Sequence, residues 1–120
     1  MALALTMTQN KTGVFFLSVY QSDGITPQSL VGATLWFHAA QPGAAFEINK
    51  SSPSSGITIQ NTAGGLNCAT LQIEPADTST LTLPPQGVQG MPCELSMQVG
   101  SEVYELARGI FSVTANVGAP

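Results

Sequence analysis

Positive charge is almost missing from this sequence. Lys11, Lys50 and Arg108 are the only lysine and arginine residues in 120, and they do not cluster. A nucleic-acid site needs a basic footprint, and docking on an anionic membrane surface needs a polybasic patch. Neither partner is expected. Charge of either sign is scarce, at 8% of residues against about 25% in an average soluble domain. The remaining surface is Ser, Thr, Gln, Gly and small apolar groups, which cost little to desolvate. Much of it is expected to contact other protein.

Long apolar runs are also missing. None approaches about 18 residues, so no transmembrane helix is expected. The start, Met1 to Thr8, lacks a basic region and a continuous apolar block, which makes it a poor signal peptide. There is one histidine, His38, and no Cys/His pair has ligand spacing. The alternating acidic oxygens of a calcium loop are absent. No serine sits in a nucleophile elbow and no glycine-rich phosphate loop occurs. The expectation is a protein with no catalytic, cofactor-binding or metal-binding residues, and not an enzyme.

Only two cysteines occur, Cys68 and Cys93. Strand parity places Cys68 opposite Ala69, Leu71 and Ile73, while Cys93 shares a face with Leu95, Met97 and Val99. One thiol then points in and the other out, and two reduced thiols are expected rather than a bridge.

What the sequence does have is period-two alternation. Its centre is residues 66 to 113, which read as three successive strands: Leu66–Glu74, Met91–Val99 and Glu102–Val113. Asp77 is expected to cap a single helical turn between the first two, with Leu81 or Leu83 plugging the core. Tyr104 and Leu106 share one parity and Phe111 and Val113 the other, so a β-bulge is expected at Gly109. Upstream, Leu3, Leu5 and Met7 alternate with small residues as a strand or an extended arm over 1–8. Val14 to Tyr20, Ala33 to Ala40, Ala44 to Asn49 and Ile57 to Ile59 are further strands, and 116–120 is an extended tail. No helical segment of three turns fits. The expected fold is one all-β domain over 1–120, an antiparallel immunoglobulin-like β-sandwich of seven to nine short strands.

Two strands carry bulk on both faces. In Val14–Tyr20, Phe15, Leu17 and Val19 oppose Val14, Phe16 and Tyr20; in Ala33–Ala40, Leu35 and Phe37 oppose Trp36 and His38. An outer face normally sees water, so Phe16 and Tyr20 are expected to meet another subunit or the N-terminal arm. Leu3, Leu5, Phe16, Tyr20, Trp36 and His38 are the candidate protein–protein interface. Other constellations read as structure. Glu94 and Glu105 fall where they can pair with Arg108 as a solvated cluster. Trp36 with Tyr20 reads as core or interface aromatics rather than a sugar platform. Asn10-Lys11-Thr12 and Asn49-Lys50-Ser51 match the glycosylation acceptor pattern.

The order of signals then suggests a family. GVFFLSVYQSDG, LVGATLWFHA, FEINKSSPSSGITI, CATLQIEPADTSTL, CELSMQV and YELARGIFSVTANV follow one another through nearly the whole chain. The spacing I-x-P-x-D-T-x-x-L falls on Ile73, Pro75, Asp77, Thr78 and Leu81. L-x-x-G-x-F-x-V falls on Leu106, Gly109, Phe111 and Val113. This resembles small immunoglobulin-like domains of tailed-bacteriophage virions, such as the N-terminal domains of baseplate upper proteins and small tail or capsid accessory proteins. The resemblance implies a non-enzymatic virion component, made in the bacterial cytoplasm, whose partners are other virion proteins and copies of itself. Because the sequence stops at Pro120, a stand-alone component is expected rather than a fibre anchor. The alternative is a module binding carbohydrate or a host surface through the loops Lys50–Gly56 and Pro84–Gly90.

Overall fold

The computed structural model describes residues 2–116 apart from positions 22, 44, 53, 54, 63, 64 and 86. The expected tail beyond Asn116 and Met1 of the expected arm lie outside the described residues. Among the described residues there are eight strands and one helical turn: β1 (Ala2–Thr8), β2 (Gly13–Ser18), β3 (Ala33–Ala40), β4 (Glu47–Ser51), β5 (Ile57–Thr62), β6 (Gly65–Ile73), α1 (Pro75–Thr78), β7 (Val88–Val99) and β8 (Glu102–Thr114). They form a five-stranded sheet, β1-β8-β7-β3-β4, packed on a three-stranded sheet, β2-β6-β5. This is an all-β sandwich. With β2, β6 and β5 as strands B, E and D and β3, β7 and β8 as C, F and G, the order is immunoglobulin-like.

Period-two alternation explains which residues lie inside. Leu35, Phe37 and Ala39 of β3 are buried, as are Ala69, Leu71 and Ile73 of β6 and Met91, Cys93, Leu95 and Met97 of β7. Phe111 joins the two layers. It meets Phe37 of its own sheet edge-on at 5.9 Å and Phe15 of the opposite sheet at 6.4 Å. The cysteine pair and buried tryptophan that pin antibody domains have no counterpart in this core: both cysteines are free, and Trp36 faces outward at 37% exposed.

Four details depart from the sequence reading. First, the three strands of the 66–113 region do not form one unit, because β6 belongs to the smaller sheet and α1 carries the chain across to β7. Second, residues 2–8 are not an arm over Phe16. They form β1, which pairs parallel with β8, so the sandwich is antiparallel except at this edge. Third, the bulge is not at Gly109. Leu95 pairs with Ala107 and Ser96 with Glu105, which makes Leu106 the extra residue. Gly109 is needed for closeness instead, since a Cβ there would collide with the backbone of Leu3. Fourth, Asp77 is not the helix cap. Glu74 holds that position and Asp77 stands three residues on, accepting the Glu74 N–H at 2.7 Å in a capping box.

The corner at α1 ties both sheets together. Thr78 is fully buried and accepts the Asn10 N–H at 3.0 Å, while the Gln9 amide donates to the carbonyls of Thr78 and Leu81. Lys50, from the end of β4, reaches Asp77 at 2.7 Å with its side chain only 14% exposed. Leu81 then plugs the core, as the sequence suggested.

Candidate functional site

The six candidate interface residues fall in three places. Leu3 and Leu5 lie on β1, opposite Gly109 and Phe111 in register, and are half-buried against the core. Phe16 stands on the outer face of the three-stranded sheet and is 79% exposed. Tyr20 sits just past β2, bridged to Pro27. Trp36 and His38 project from the outer face of the five-stranded sheet, beside Ser96 and Glu94 respectively. Tyr20 and Trp36 therefore do not form a joint platform. Val14 shares the face of Phe16, and Ile110 that of His38; both are exposed.

The outer face of the five-stranded sheet carries the chain's densest charge. His38 lies 3.2 Å from Glu47. In register beside it, Glu94 faces Arg108, whose guanidinium bonds Glu105 with Nε at 2.8 Å and lies 4.0 Å from Glu94. The Glu105 hydrogen bond and charge hold the Arg108 proton more tightly than usual. These groups are exposed, so the pairs contribute little stability. Of these groups His38, Glu94 and Arg108 line an open groove of about 420 Å³, together with Ala40, Pro92 and Ile110. No group of three or more metal-ligating side chains occurs among the described residues. The arrangement supplies solvated ion pairs and no oriented nucleophile.

A second groove, about 780 Å³, opens where the 20–28 connector meets the β7–β8 hairpin. Tyr20, Gln28, Met97, Tyr104 and Leu106 line it. The Tyr104 hydroxyl donates to Glu102 at 2.6 Å, which raises its pKa above the ordinary phenol value. The described residues of the loops picked from sequence, Lys50–Gly56 and Pro84–Gly90, do not line this groove. Lys50 and Ser51 belong to β4, and Val88 to Gly90 belong to β7.

The outer face around Phe16 has a different character. Its neighbours in register are Val14, Ser18, Thr58, Thr70, Gln72 and Cys68, none of them charged. Strand β2 is also an edge of its sheet. No family model matches the chain, and no curated protein matches it.

Proposed function

We propose that this chain is a non-enzymatic structural component of a bacteriophage virion, at the tail, baseplate or capsid surface, that acts by packing against other virion proteins and copies of itself. The observation that supports this best is the large exposed aromatic, Phe16, among uncharged in-register neighbours and beside an open sheet edge. An isolated soluble domain gains nothing from such a surface, and a packing subunit buries it. The scarcity of charge, 8% of residues, fits the same reading, because little has to be desolvated at each contact. The order of motifs through Ile73, Pro75 and Asp77 supplies the virion part of the reading.

Quantitative proteomics of purified particles from the phage or prophage that encodes the chain tests it. The expected result is the chain at a fixed stoichiometry to the major virion proteins. Its absence from particles that carry those proteins overturns the assignment. A second reading, a module for neutral carbohydrate or a host surface, is favoured by the groove between Tyr20 and Tyr104. Binding on a glycan array that is lost in Tyr104→Ala distinguishes it.

A further inference from the structure

Strand β2 runs along one side of β6 only, and among the described residues nothing pairs on its other side. The hydrogen-bond phase says which backbone groups that leaves. The Val19 N–H donates to the Asn67 carbonyl at 2.9 Å, so Val19 and Asn67 are a hydrogen-bonded pair. Antiparallel ladders alternate, which turns the backbone of Leu17, Phe15 and Gly13 toward β6. The Gln72 N–H donates to Gly56 on the far side of β6, and this agrees, because Gln72 faces Val14 in register. The N–H and C=O groups of Val14, Phe16 and Ser18 therefore point away from the sheet. The two bulky residues of that set are also exposed, Val14 at 44% and Phe16 at 79%.

Proteins protect open edges with charge, proline, bulges or a covering segment. The segment Gly13–Ser18 has no charge, no proline and no bulge. The other edges differ: β5 has a register irregularity between Gln60 and Thr62. Strand β4 carries Glu47 and Lys50, and the outward residues of β1, Ala4 and Thr6, are small. The occupant must offer extended backbone and a neutral apolar side chain. Its outward residues must also match Val14, Phe16 and Ser18, a set that carries no charge. The same strand from a second copy meets each requirement.

We infer that β2 pairs with β2 of a second copy, antiparallel across a two-fold axis at Phe16, joining two three-stranded sheets into one. Only one register uses all three outward residues of both strands. Phe16 faces Phe16 of the other copy, and Val14 faces Ser18 in both directions. About six interchain hydrogen bonds then form, and the two Phe16 rings meet on the outer face beside Val14. The contact is isologous, as a closed two-fold dimer requires. This rests on the reading of the chain as a self-packing component, and it names the surface.

The test compares the wild-type protein with Val14→Pro by light scattering over a concentration series. The Val14 N–H faces the open edge, so proline there removes an interchain donor and no bond to β6. Phe16→Lys, at an exposed position, is the second variant should Val14→Pro fold poorly. Phe16→Cys in a Cys68→Ser background reads the register. The expected results are a wild-type mass that doubles with concentration, a variant mass that stays at one chain, and a disulfide dimer from Phe16→Cys on oxidation. Wild-type association that both variants share, with no Phe16→Cys dimer, overturns the β2 pairing and leaves self-packing standing. A wild-type mass of one chain at every concentration overturns both.

Discussion

At Gly109 the absence of a side chain is a packing requirement. A Cβ would strike the Leu3 backbone, so Gly109→Ala must push β1 off β8. The expected cost is about 1–3 kcal/mol, with loss of amide protection in residues 2–8 as the confirming measurement. Phe111→Ala should cost more, about 3–5 kcal/mol in denaturant unfolding, because the ring touches phenylalanines of both sheets. The two thiols should separate in reactivity. Burial pushes the Cys93 thiol up from 9.0, with a Gly109 backbone hydrogen bond opposing, while Cys68 is only partly covered. A thiol reagent at mild alkaline pH should modify Cys68 first and reach Cys93 only on unfolding; equal rates would contradict the burial of β7. Asp23 gives a pH signature. The Thr26 hydroxyl, then the Thr26 and Ile25 amides, lower its carboxyl below 3.8. A depressed carboxyl contributes order that is complete above the ordinary value and lost as pH falls through the folded value. The Thr26 amide resonance should titrate with a midpoint below 3.8, and Asp23→Ala should abolish the transition.

The elements show what was legible and what was not. Ala33–Ala40 was read with its bounds correct, since Leu35, Phe37 and Ala39 alternate cleanly with polar or aromatic outward residues. The inward and outward cysteines followed from the same parity. The partners of each strand were not legible, because alternation reports a face and says nothing about which strand lies beside it. Alternation alone therefore does not show that β6 lies in a different sheet from β7 and β8, or whether residues 1–8 pair as a strand or extend as an arm. The bulge was misplaced for a local reason: glycine is a bulge signal, yet here it makes room for β1. The α1 corner is testable as a unit. Lys50→Met leaves Asp77 without its cation and should cost about 1–3 kcal/mol. Thr78→Val removes the acceptor of the Asn10 amide and should cost a similar amount. Both are read from urea midpoints, and unchanged midpoints would mean the corner is decoration.

For the molecule as a whole, one core of aliphatic side chains, methionines and phenylalanines serves both sheets, and both cysteines are free. The surface is less self-sufficient. Its charge is concentrated on the outer face of the five-stranded sheet, and its most exposed aromatic, Phe16, lies on the opposite face among uncharged in-register neighbours. Composition made this contrast partly legible, because scarce charge and two-sided apolar strands already pointed to contacts with other protein. The location proposed for such contacts rests on the hydrogen-bond phase of β2, which sequence does not carry.

The most direct measurement is the solution mass of the wild-type protein from micromolar to millimolar concentration. One chain is 12.4 kDa. The account predicts a concentration-dependent rise to twice that value. A mass that stays at one chain throughout would contradict it.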